Sequence, residues 1–198
     1  MIFMSRPWMS SVRFALGILI VAALGCAHVE TERDCAKFGA SRFCLQPSAT
    51  RFTVTQSVEA MYRGGGQRLV VYVEVGENDL SVVGVTPFGR RMFLLRYGPS
   101  GLDASSQMSG DVGLSAEQLL AGLQLAFWPL ASARAGVRGV ATRLDESPDG
   151  ATRRLWQGET EVFTASCEGR RPVCRRARLS YPTLGQTLSI ETVEGAPS

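Results

Sequence analysis

RLVVYVEVGENDLSVVGVTPFGRRMFLLRY, residues 68–97, reads as three β-branched and aromatic runs divided by two tight turns. GEND and TPFG supply the Gly, Asn, Asp and Pro that set turn geometry, so the runs read as strands joined by hairpins. Upstream, RFTVTQSVEAMY (51–62) adds a fourth run, followed by RGGGQ, another turn signal, and the four make an antiparallel meander. Phe52, Val54 and Gln56 share one face of the first run, and Leu69, Val71, Val73 and Val75 share one face of the second. Val70 and Tyr72 on the opposite side make the second run apolar on both faces for most of its length, which predicts cover on each side. The TPFG turn also sets an apolar aromatic, Phe88, between Pro87 and Gly89 at a hairpin tip, where it either projects into solvent or folds back onto the core.

Beyond the meander, residues 98–113 are rich in Gly, Ser and Asp and read as a long loop. A helix follows: Ser115 is placed as N-cap with Gln118 three residues on and flanking leucines as a hydrophobic staple. Pro129 disfavours helix in the residue before it, so the helix stops near Trp128. Leu119, Leu120, Leu123 and Phe127 form its buried stripe. ASARAGVRG (131–139) reads as a connector. VATRLDE, ATRRLWQ, EVFTASC, CRRARLSYP and TLSIETV then supply a second meander. The fold class is mainly β with one or two helices (α+β), an antiparallel open half-barrel wrapped over a helix.

Residues 1–26, MIFMSRPWMSSVRFALGILIVAALGC, set Arg6 and Arg13 before an eleven-residue apolar run, Phe14 to Leu24. A spanning helix needs about 20 such residues, so this is an export signal. Ala23-Leu24-Gly25-Cys26 resembles the bacterial lipobox, with Ala in place of the usual Leu three residues before the cysteine. The resemblance implies cleavage before Cys26 and acylation of that residue, which holds the chain on a membrane since each buried CH₂ contributes about 0.8 kcal/mol. Ala27 in the next position implies, by similarity to the enteric sorting rule, the periplasmic face of the outer membrane. The expected organisation is a signal peptide at 1–25, an acylated tether at 26–50 and a single domain at 51–198.

Cys35, Cys44, Cys167 and Cys174 remain, an even count in an exported chain, which points to disulfides. Four cysteines allow three pairings, and proximity favours Cys35 with Cys44 and Cys167 with Cys174. Neither spacing is a zinc knuckle and no histidine lies nearby, so no metal is expected. Without its signal the chain carries 19 basic and 18 acidic residues, a net charge of +1, and no nucleic-acid partner is implied. Arg170, Arg171, Arg175, Arg176 and Arg178 cluster about a predicted turn, either as a docking patch for anionic lipid or an acidic partner, or as a solvated hairpin face. The one histidine, His28, stands two residues from Cys26, so nucleophile–histidine catalysis has no base in the domain. Glu159 and Glu161 read as a solvent face of a strand, and the chain is expected to be neither an enzyme nor a holder of a cofactor.

The motifs GVTPFGRRMF and LLAGLQLAFWP, behind a lipobox, resemble a bacterial lipoprotein family known as a domain of unknown function and often encoded beside aryl-polyene or fatty-acid-like biosynthesis genes. The order of elements is also similar to the lipoprotein carriers LolA and LolB. In LolB an apolar residue projects from an Asn-Pro-Leu-Gly loop, and Thr86-Pro87-Phe88-Gly89 matches that loop with Phe for Leu. This resemblance implies that Phe88, on the rigid turn begun by Pro87, touches membrane or cargo, and that the open barrel encloses an acyl-chain cavity walled by Met92, Leu94, Phe127 and Trp128. It further implies a monomer that handles a lipid, lipoprotein or polyene cargo and meets a periplasmic carrier protein. The competing expectation is an adaptor lipoprotein whose barrel is filled by its own side chains. An apolar pocket of several hundred Å³ separates the two.

Overall fold

The computed structural model describes residues 34–47, 50–106 and 113–197; the signal sequence, Cys26, Ala27 and His28 lie outside the described residues. The first meander forms β3 (Phe52–Tyr62), β4 (Gly65–Val75), β5 (Leu80–Val85) and β6 (Arg91–Gly98), after a hairpin of β1 (Cys35–Phe38) and β2 (Ser41–Cys44). The expected loop at 98–113 contains a further strand, β7 (Gly101–Ser106), paired to β6. Its polar sequence GLDASS hides an edge strand that needs only one neighbour. The second meander forms β9 (Thr142–Glu146), β10 (Thr152–Gln157), β11 (Thr160–Arg170), β12 (Val173–Tyr181) and β13 (Gln186–Pro197).

These strands make one antiparallel ten-stranded sheet in the order β7-β6-β5-β4-β3-β13-β12-β11-β10-β9. The two meanders join where β3 pairs with β13, with Val58 opposite Ile190 and Ala60 opposite Leu188. Strands β7 and β9 remain as edges, so the sheet is open, as expected. Inward positions Leu69, Val71, Val73 and Val75 of β4 are buried. Tyr72, however, is 49% exposed and Glu74 is exposed, so the cover expected on both faces of β4 exists on one. The apolar outer residues serve cross-strand pairing instead, with Tyr72 between Thr55 and Val83.

Helix α1 (Ala116–Phe127) lies on the concave face. Its reciprocal cap forms as expected: Ser115 Oγ accepts from Gln118 N at 3.2 Å, and Gln118 Oε1 accepts from Ser115 N at 3.0 Å. Every residue from Leu120 to Phe127 is buried, which is wider than the predicted stripe. A helix apolar all round is covered on more than one side, and the second cover comes from the segment expected to be tether. In β1 and β2, Ala36, Phe38 and Phe43 belong to the core, and Phe38 packs 5.7 Å from Phe163 and 6.1 Å from Tyr181. Gln124 holds Gln46, two residues beyond β2, at both ends: its Oε1 accepts from Gln46 N at 2.8 Å and its Nε2 donates to Gln46 O at 3.0 Å. The domain therefore takes in residues 34–47, ahead of the expected boundary at Arg51.

The expected connector ASARAGVRG instead forms most of α2 (Leu130–Gly136) and the short strand β8 (Val137–Arg138), which pairs with β2. Both disulfides favoured by proximity are present, Cys35–Cys44 closing the first hairpin and Cys167–Cys174 tying β11 to β12. Glu159 lies in the turn between β10 and β11, while Glu161 bonds the Thr164 hydroxyl and pairs with Arg154 at 3.3 Å.

The C-terminal carbonyls of α1 point into the interior and meet a buried charge. Arg153, its side chain 3% exposed, donates to Leu125 O at 3.0 Å and Trp128 O at 2.6 Å, and pairs with Glu146 at 2.8 Å. Removing it leaves two helix-end carbonyls without their donor and takes from the half-buried Glu146 carboxylate its nearer cation, Arg171 standing 3.7 Å away. Arg153→Ala is expected to lower stability by about 3–5 kcal/mol, read as a fall on the order of 10 °C in the unfolding midpoint. A change below about 1 kcal/mol would mean that the helix end is held by something else.

Candidate functional site

The inward side chains of the sheet are uneven in size along the strands. At the end holding Phe52, Val75 and the C-terminus of α1, large rings fill the space; Trp128 meets Phe52 at 6.1 Å. Toward the other end the inward residues shrink to Val58, Ala60, Leu69 and Val71, and α1 offers Leu119 and Leu123. There the concave face and the helix leave a cavity of about 440 Å³. Its wall is built from cross-strand pairs, Gln56 with Val71, Val58 with Leu69 and Ile190, Ala60 with Leu188, and Val82 with Leu95. Gly84 sits opposite Phe93, and a Cβ there would lie 2.2 Å from the ring, so the glycine makes room for Phe93 to join the wall. The wall is closed by Gly113 to Ala116 and Gln118 at the start of α1. Gln56 is 2% exposed and its Oε1 has no hydrogen-bond partner among the described residues.

None of the four residues expected to line a cavity is in the wall of this one. Met92 falls at an irregularity in the β5–β6 pairing, between the Gly84–Phe93 and Val85–Arg91 pairs, and is half-buried. Leu94 alternates with the inward Phe93 and Leu95, so it faces the other way. Four apolar residues in succession, Met92 to Leu95, give no parity in the sequence. Phe127 and Trp128 are buried in the filled half of the core. Sequence reading assigned none of the wall residues to a cavity, Gln56, Phe93 and Leu95 among them. The available signal was an amide in the inward series Phe52, Val54, Gln56, Val58 and Ala60.

The Phe88 tip lies at the same end of the sheet as the cavity. β3 and β5 run toward that end, so the β3–β4 turn, the Thr86–Arg90 turn and the short 3-10 turn Pro182–Leu184 share it. Thr86 fixes the tip: its carbonyl accepts from Gly89 N at 2.9 Å and its Oγ1 from Arg90 N at 3.1 Å. Gly89 adopts φ 81°, the left-handed region glycine favours. Phe88 is 98% exposed and Pro87 is exposed, so the side chain projects and does not fold back.

The arginine loop lies at the opposite end, and its five residues do not form one basic surface. Arg171 turns inward, donating to Ala126 O at 2.6 Å and to Gly150 O, and stands 3.7 Å from Glu146. Burial, and then the nearby Arg153 charge, pull its pKa below the usual guanidinium value. Arg175 pairs with Glu168, and Arg176 reaches Glu168 at 3.8 Å and Glu191 at 3.4 Å. Arg170 and Arg178 are exposed. Tyr181 is buried beside α1, and that burial pushes its phenol pKa up.

The family described as "Protein of unknown function (DUF3261)" matches residues 53–194, more than half of the chain. No curated protein gives a match. Among solved structures, similarity is found to a DUF1329 family protein from Desulfovibrio piger, with 8% identity, a TM-score of 0.37, and coverage of 75% of this chain and 86% of that one. A second is a domain named for outer membrane lipoprotein sorting, from Vibrio parahaemolyticus, with 5% identity, a TM-score of 0.38 and the same coverage, 75% and 86%.

The opposed settings of Phe88 and the cavity wall give a paired test. Phe88→Asp is expected to leave stability within about 0.5 kcal/mol, as for an exposed site, whereas Leu95→Asp buries a carboxylate among apolar residues and should cost more than about 3 kcal/mol. Chemical denaturation of both variants checks this, and equal losses would contradict the inward–outward assignment of the β5–β6 hairpin.

Proposed function

We propose that this chain, which belongs to the DUF3261 family, is an envelope lipoprotein that binds a lipid-like or acylated molecule in the cavity beneath α1 and exchanges it with a membrane, without altering it covalently. The observation that carries this reading is the cavity itself: about 440 Å³, within the ~300–1,000 Å³ of small-molecule sites, and walled by aliphatic and aromatic side chains. A barrel acting only as an adaptor would have no need of such a space. The wall contains Gln56, Ser115 and Gln118 as its polar side chains and no titratable one, which suits holding an aliphatic chain better than reacting with it.

In this reading Phe88 is the contact with the bilayer. Its transfer from water to lipid contributes about 2 kcal/mol, enough to bias the orientation of a protein already held at a membrane. The anchor is Cys26, on the periplasmic face of the outer membrane, in the manner of the LolB receptor that the chain resembles in its order of elements. The cargo is an acyl chain of a lipid or lipoprotein, or a polyene lipid, and a soluble carrier is its exchange partner.

Native mass spectrometry of the full chain, purified from its own envelope and followed by organic extraction, tests the reading. A stoichiometric acyl or polyene ligand is expected, and Ala60→Phe, which pushes a ring into the cavity from β3, should lose most of it while retaining a cooperative unfolding transition. A ligand-free wild-type chain would contradict the proposal and favour the adaptor.

A further inference from the structure

Gln56 is the innermost cavity residue on β3. On β3 the wall comprises Gln56, Val58 and Ala60, while Val54 one step further in is packed core; on β4 it comprises Leu69 and Val71, while Val73 is packed core. Four residue steps run from Gln56 to Ala60, a depth of about 13 Å at ~3.3 Å per residue. On β5 and β6 the wall reaches one pair further, to Val82 and Leu95, so an otherwise apolar pocket carries a carboxamide close to its inner end. Burying an amide oxygen without a partner is unfavourable, and Leu or Met would fill the same place without that cost. Trp128 Nε1 also has no partner among the described residues, but it lies in the filled half of the core, away from the cavity wall.

We infer that Gln56 reads a hydroxyl group carried at the inner end of the ligand's aliphatic chain; this rests on the lipid-binding reading above and narrows it. The carboxamide Oε1 is an acceptor and an alcohol O–H is a donor, so the hydroxyl donates to the oxygen that has no partner. A plain alkyl terminus would leave Oε1 as unsatisfied as it is in the free protein. The ligand class is therefore an amphiphile whose polar head stays at the outer end of the cavity, near Ala60 and the start of α1, and whose inner end is hydroxylated. Gln56 acts as a specificity residue, selecting among chains that the apolar wall alone would accept equally.

The test uses the full chain held in nanodiscs, with displacement of a fluorescent fatty acid by matched pairs at neutral pH: 10-hydroxydecanoic against decanoic acid, and 16-hydroxyhexadecanoic against hexadecanoic acid. The hydroxylated member of at least one pair is expected to bind about tenfold tighter, as one net buried hydrogen bond allows, and Gln56→Leu is expected to reverse that order. If both members bind equally to the wild-type chain, the hydroxyl inference is overturned while lipid binding stands. If the fluorescent fatty acid binds the chain no better than it binds empty nanodiscs, both fall, and if it binds but no probe displaces it, the hydroxyl inference alone falls. Should Gln56→Leu fail to fold, the wild-type comparison decides alone.

Discussion

The fold depends on how both ends of α1 are satisfied inside a concave sheet. A helix leaves its first N–H and last C=O groups without internal partners, and here the last turn ends against protein, where water is not available to replace them. Arg153 donates to Leu125 O and Trp128 O, and Arg171 donates to Ala126 O. Their positive charge also suits the negative end of the helix dipole, and Glu146, near both guanidinium groups, offsets the like-charge repulsion between them. At the other end Ser115 and Gln118 close the cap, and Gln118 Nε2 reaches across to Lys37 O at 2.9 Å, fastening the helix to the β1–β2 hairpin. The helix is therefore fixed at both ends relative to the sheet. The space beneath its N-terminal half persists because the helix cannot settle into it.

That arrangement divides the molecule into a packed end and an open end. Phe52, Phe127 and Trp128 fill one; valine, alanine and leucine line the other, where Phe88 projects. Asp34, the first described residue, accepts from Leu102 N at 3.2 Å, at the opposite end of β6 from Phe88.

Much of this order is written locally. The strands of both meanders follow from β-branched runs and turn residues, and α1 follows from Ser115, Gln118 and Pro129. The disulfides follow from proximity in the chain. What escaped sequence reading depends on long-range pairing. GLDASS becomes β7 because β6 offers it an edge, and CAKF and SRFC become a core hairpin because Phe38 finds Phe163 and Tyr181, more than a hundred residues away. Arg171 reads as one of five surface arginines until the end of α1 arrives beside it. The cavity was legible as a kind of site but not by its residues: Met92 to Leu95 are all apolar, so which pair faces inward is set by register with β5. Gln56 stood out only as an exception in an apolar series, and the burial that gives the exception meaning is tertiary.

The claim that an aliphatic chain lies between the sheet and α1 is tested most directly by intermolecular nuclear Overhauser effects between palmitate and a methyl-labelled full chain. Cross-peaks are predicted to Val58, Val71, Leu123 and Ile190, which line the cavity, and not to Leu155 or Leu179, which are buried elsewhere. Cross-peaks confined to exposed methyls such as Val140 and Val193, or none, would contradict the account.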